Sequence, residues 1–258
     1  ERFRRSGIMH LMAVSGGHFV LVAALVRRLC AWLLAHRYVV AVATAGAYLG
    51  LSALMFPSDS VTRALTMGCL TAAATAAGRR PQAMSALCWT VVGVLVVSPG
   101  MSTSYGFALS SAAVLGIVLF AGRLSRVLGH VLPHSLAEMM AMTIAAQLFT
   151  LPIQVLMEPE LPLLSVPANL LVAPFVGLST ITGLMSLALA WCMPWLAGVF
   201  AWVSSWGTLV MERVAMWLGS NEIATLPWKD GVVGAALILL AELGIGALLV
   251  LVTRQVKR

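Results

Sequence analysis

The sequence predicts an all-α fold: a polytopic transmembrane bundle of about nine spans, with a broken or re-entrant segment near residues 161–175. Three observations predict it. Of 258 residues, 60% are hydrophobic and only 10% are charged, whereas an ordinary soluble domain carries about 25% charged residues. The apolar stretches are long and continuous, without the strict alternation of a membrane barrel. Lys and Arg gather between those stretches, where the positive-inside rule puts them.

About 20 apolar residues cross a bilayer as a helix, and the spans follow in order. Residues 8–26 form the first, interrupted by Ser15, Gly16, Gly17 and His18. Residues 38–56 carry no charge; residues 61–78 carry Arg63 near their start. Residues 83–98 and 105–122 give the fourth and fifth, and the sixth, about 136–157, contains Glu138. The uncharged stretch 161–211 is long enough for two crossings. Its first part holds Pro162, Pro167 and Pro174. Proline removes a backbone donor and breaks helix interiors, so a broken segment is expected near Asn169, then helices at about 175–191 and 195–218. The ninth span is 231–253, with Glu242 in its middle.

Arg27, Arg28 and Arg37 follow the first span, Arg79 and Arg80 the third, Arg123 and Arg126 the fifth, and Arg254, Lys257 and Arg258 the ninth. The alternate loops are neutral or acidic. This asymmetry places the N-terminus outside and the C-terminus inside, although Arg2, Arg4 and Arg5 run against it. The net charge of +7 is accounted for by the same rule. Cys30, Cys69, Cys88 and Cys192 form no C-x-x-C pair and read as small buried hydrophobes. The chain starts at Glu1, without a signal-peptide pattern, and is expected to begin inside a larger protein.

Polar groups inside a span are expensive and tend to face a cavity or a partner. Ser15 and His18 share a helical face, and His10 lies about 80° from His18 around an ideal helix. Gly16 and Gly17 permit a bend or close backbone approach. The bland alternative is a packed helix whose Ser and His bond to neighbouring backbone. Ser15 as a nucleophile with His18 would need an oxyanion site and a third group, neither of which is visible. Arg63 either snorkels to headgroups or lines a polar path, where its planar fork suits phosphate. Glu242 is expected to pair structurally, and Gln147 and Asn169 to bond between helices. The late tryptophans, Trp191, Trp195, Trp202, Trp206, Trp217 and Trp228, read as interface anchors or packing; a stacking platform for bases is the sharper alternative. There is no Walker motif, no H-E-x-x-H and no His or Cys cluster at metal spacing. No metal or cofactor is expected, and the energy for any transport comes from elsewhere.

At His10-Leu11, Ser15-Gly16 and His18 the sequence resembles the ComEC family of competence proteins. More of that family's pattern follows in order: Arg63-Ala64 with Met67, Pro99 then Gly106-Phe107 with Leu109-Ser110, Gln147 with Thr150 and Pro152, and Asn169-Leu170 with Pro174. Gly17 stands where the family often has a larger apolar residue, and Ala108 where it often has Gln. The resemblance covers residues 1–185 well and the rest by hydropathy. It implies a multi-pass protein of the bacterial inner membrane that conducts single-stranded DNA into the cytoplasm during natural transformation. It also implies an external DNA receptor and a cytoplasmic DNA translocase as partners. Full-length members carry an external oligonucleotide-binding-like domain and often a metallo-β-lactamase-like nuclease; residues 1–258 are expected to be the membrane domain alone, catalysing no reaction. The expected DNA path comprises His10, Ser15, Gly16, Gly17, His18, Arg63 and Asn169, with monomer and homodimer both open. Two other readings stand beside this: a small-solute or ion transporter using Glu242, and an intramembrane serine hydrolase using Ser15.

Overall fold

The computed structural model describes residues 16–54, 58–220 and 225–255. Among these, the chain is almost wholly helical. The helices are α1 (Gly16–Trp32), α2 (Arg37–Leu54), α3 (Asp59–Ala76), α4 (Ala83–Val97), α5 (Tyr105–Gly116), α6 (Gly122–Leu128), α7 (His134–Met157), α8 (Ser165–Leu189), α9 (Pro194–Gly219) and α10 (Gly231–Gln255). A π turn at Ile117–Ala121 joins α5 and α6 into one rod. The described residues thus form nine rods; residues 8–15 of the expected first span lie outside them.

Lipid-like surroundings explain the surface. Val42, Val92 and Leu240, away from their helix ends, are 72%, 54% and 65% exposed; in water such faces would drive association. By length and composition, α2, the α5–α6 rod, α7 and α8 are each sufficient to cross a membrane. Helix α4 and the first part of α10 are shorter apolar helices.

Small residues set the packing. Ala137, Ala141 and Ala145, at four-residue spacing on α7, are fully buried. A β-carbon on Gly116 would run into the Ala145 carbonyl oxygen, so α5 and α7 meet backbone to backbone. Such close approach is how helices gain contact where no hydrophobic force drives them together. Helix α7 is the hub: α5, α6, α8 and α10 all pack on it. Helices α8 and α9 form a tight hairpin, stitched by Ser179 Oγ donating to the Ser204 carbonyl (3.2 Å) and Ser204 Oγ donating to the Ser179 carbonyl (3.0 Å). A third group of helices, α1, α2 and α3, buries Phe19, Val22, Ala23, Tyr48, Leu51, Val61 and Ala64 together, with Leu184 of α8 against them.

Four features depart from the sequence reading. Of the four cysteines read as buried, only Cys30 is; Cys88 and Cys192 are exposed. Helix α1 runs on to Trp32, so Arg27 and Arg28, expected after the first span, lie within that helix. The segment near residues 161–175 is not broken: α8 runs without interruption from Ser165 through Pro167 and Pro174. Pro167 lies in the first turn, where a helix has backbone donors to spare. Pro174 costs one interior bond, but the helix carries through it. Ahead of α8, β1 (Glu160–Pro162) pairs antiparallel with β2 (Thr225–Pro227), Glu160 opposite Pro227. The Trp228 amide donates to the Pro159 carbonyl at 2.8 Å. This small ribbon ties the α7–α8 loop to the α9–α10 loop.

Candidate functional site

Helices α1, α3 and α5 bring a buried arginine against a glycine and two serines. Helix α3 begins with Ser58 as N-cap, its hydroxyl accepting from the Val61 amide at 3.4 Å, and with Asp59 in its first turn. Both suit the positive end of a helix. One turn further, Arg63 is only 3% exposed. Its Nε donates to Ser110 Oγ at 2.6 Å, and its Nη1 to the Met67 sulfur at 3.8 Å. The Nη2 end lies over Gly16, where a β-carbon would stand 2.7 Å from it. Gly16 is therefore a socket for the guanidinium, and any other residue would crowd it.

Ser110 Oγ also lies 3.1 Å from Ser60 Oγ. Guanidinium donates only, so Ser110 accepts from Arg63; between Ser60 and Ser110 either hydroxyl can be the donor. The network runs from α3 to α5 and back to α3. Beside it, Ser104 caps α5 by accepting from the Phe107 amide at 3.1 Å, and its hydroxyl donates to Asp59. Gly106 makes room for that carboxylate: a β-carbon there would meet Asp59 Oδ2 at 3.2 Å.

The charge of Arg63 is thus solvated by neutral groups. Among the described residues no carboxylate forms an ion pair with it. A buried, unpaired cation is costly in a protein or a bilayer, and its fork is suited to a phosphate oxygen pair.

Of the residues expected on a DNA path, Gly16 and Arg63 are brought together. His18 is partly buried one half-turn along α1, and Gly17 is exposed. His10 and Ser15 lie outside the described residues. Asn169 is buried on α8 and not joined to this cluster; its Nδ2 donates to the Ser165 carbonyl at 2.8 Å within its own helix. Gln147 likewise bonds along its own helix, Nε2 donating to Gln154 Oε1 at 3.4 Å. At these atoms the bonds run along the residue's own helix and not to another: Asn169 turns back to the i−4 carbonyl within its reach, and Gln147 meets another glutamine two turns on. Glu242 Oε1 is buried without a hydrogen-bond partner among the described residues, so the expected structural pairing is not seen there. Trp191, Trp195 and Trp217 are 96%, 80% and 66% exposed. Trp195 and Trp217 stand near opposite ends of α9, the placement of interface anchors.

Sequence reasoning did not single out Ser60, Asp59, Ser104 or Ser110. Ser110 was visible only inside the Gly106–Ser110 stretch of the family resemblance. The others are ordinary cap and first-turn residues, and nothing local marks them as partners of α5.

No curated protein and no solved structure matches the chain. A family model described as "Competence protein" matches residues 1–255. On that match, spanning nearly the whole sequence, the chain belongs to the competence protein family.

Proposed function

We propose that the bundle conducts single-stranded DNA across the bacterial inner membrane. Membership of the competence family implies a role in DNA uptake, and the apolar helices are those of a membrane protein. The observation that carries the finer reading is Arg63: a guanidinium within a helical bundle, held by Ser110 and Met67 and seated on Gly16, with no carboxylate among the described residues to neutralise it. A channel must bind its cargo favourably enough to admit it and weakly enough to release it. One cation held among neutral dipoles meets that requirement better than a cluster of lysines. In this reading all nine rods cross the membrane, the N-terminus is outside and the C-terminus inside. The bundle catalyses nothing, and an external DNA receptor and a cytoplasmic translocase feed and pull the strand.

The test is uptake of fluorescent DNA into the cytoplasm by cells carrying the parent protein, Arg63→Gln or His18→Leu, with membrane abundance measured for each. Loss of internalised DNA with normal abundance and normal outside binding supports the path. Uptake unchanged by both substitutions rejects these residues as part of it.

A second reading, a proton-coupled solute transporter, is favoured by one observation: the buried Oε1 of Glu242, without a hydrogen-bond partner among the described residues. Intramembrane acids commonly serve ion or proton relays. Solute uptake that is abolished by Glu242→Gln, in cells whose DNA uptake is unaffected, would select it.

A further inference from the structure

Asp59 and Arg63 lie four residues apart on α3, the spacing at which an acid and a base share one helix face. Arg63 is buried, and opposite charges attract more strongly where one of them is withdrawn from water. An ion pair would be the ordinary outcome, yet among the described residues none joins them. Each is held elsewhere by α5. Ser104 donates its hydroxyl to Asp59, and Ser110 accepts from Arg63 Nε at 2.6 Å. The bare α-carbon of Gly106 lets the carboxylate settle at the start of α5, with Oδ2 where a β-carbon would be 3.2 Å away. That seat is favourable for a carboxylate because the first turn of a helix carries unpaired N–H groups and partial positive charge.

We infer that Ser104 and Gly106 are positioning residues that keep Asp59 off Arg63, so that the guanidinium stays available to the phosphodiester of a passing strand. The inference rests on Arg63 lying on the DNA path. Helix α5 is then a spacer in the electrostatic sense. It draws the acid to its N-terminus and the base to its second turn, and holds apart two charges that the sequence of α3 places side by side. If Ser104 lets go, Asp59 closes on Arg63 and takes the place of phosphate.

The experiment compares DNA uptake, normalised to membrane abundance, in cells carrying the full chain as parent, Ser104→Ala, Asp59→Asn, Ser104→Ala with Asp59→Asn, Ser104→Thr and Arg63→Gln. Ser104→Ala is expected to lower uptake about tenfold, which corresponds to about 1.4 kcal/mol of pairing between Asp59 and Arg63. Asp59→Asn is expected to keep or raise uptake. The double variant is expected to recover the level of Asp59→Asn, because the neutral amide cannot capture the guanidinium. Ser104→Thr keeps both the cap and the donor and is expected to match the parent. Since the double variant shares the lost helix cap with Ser104→Ala, its recovery separates charge capture from misfolding. Uptake unchanged by Ser104→Ala overturns the inference, as does a double variant that stays as low as Ser104→Ala. If Arg63→Gln abolishes uptake while either result holds, the path survives and only the positioning role falls. If Arg63→Gln has no effect, both fall together.

Discussion

Gly16→Ala and Gly17→Ala are chemically identical changes on adjacent residues of α1, and the structure gives them opposite signs. A β-carbon at Gly16 would stand 2.7 Å from Arg63 Nη2 and 3.8 Å from Cζ. Carbon and nitrogen rest near 3.5–4.0 Å, so the guanidinium must withdraw by about 1 Å. A free arginine tip would do so at little cost, but this one is buried and fixed by the 2.6 Å bond from Nε to Ser110. Moving it stretches or breaks a charged hydrogen bond worth about 1.5–3 kcal/mol. Against that stands the gain of replacing helical glycine by alanine, about 1 kcal/mol. The net expectation for Gly16→Ala is a loss of about 0.5–2 kcal/mol. Gly17 is exposed, so Gly17→Ala should keep the propensity gain and stabilise by up to about 1 kcal/mol. Reversible unfolding of the purified protein in lipid nanodiscs measures both. Adding Ser110→Ala supplies a control: with the bond already gone, the further cost of Gly16→Ala should shrink, a non-additivity expected of residues that share one partner. Should Gly16→Ala stabilise as much as Gly17→Ala does, Arg63 is not pinned against Gly16 and the socket is wrong.

Two other expectations concern the hairpin of α8 and α9. Replacing Ser179 or Ser204 by alanine removes one of two reciprocal interhelical bonds and should cost about 0.6 kcal/mol each in nanodisc unfolding, the usual worth of such a bond in a membrane; a cost of zero for both would show that the pair does not stitch the hairpin. Because α8 is continuous through Pro174, Pro174→Ala restores a backbone donor to an intact helix and should stabilise by about 1–3 kcal/mol. A chain that genuinely broke there would instead be destabilised by the same change.

The contrast between Pro167 and Pro174 shows where the sequence was legible and where it was not. Apolar windows overlap each of the nine described rods, four of which are long and apolar enough to cross a membrane, because hydrocarbon thickness and backbone hydrogen bonding leave few other ways to satisfy such segments. Proline content alone does not decide continuity. Pro167 falls where α8 has no bond to lose, and Pro174 loses one bond out of a helix of 25 residues packed along its length on α9. The β1–β2 ribbon was hidden for another reason: its strands are three residues each and lie far apart in the chain.

The site divides in the same way. Arg63 stands out in a sequence because a lone cation in an apolar run demands an account, and Gly16 because glycines in a span invite close approach. Their meeting is tertiary, as is the capture of Arg63 by Ser110, 47 residues further along the chain. Asn169 and Gln147 looked equally conspicuous, yet each turns its amide back along its own helix. Polarity in a span marks a residue for scrutiny without naming its partner.

The central claim is that a strand of DNA passes Arg63. Site-directed photocrosslinking during uptake tests it most directly, with a photoreactive side chain placed at Ser110 and, as a control on an exposed face, at Val96, which is 75% exposed on α4. The account predicts that DNA stalled in transit crosslinks to position 110 and not to position 96. Crosslinking at neither position, with DNA still entering the cell, would contradict it.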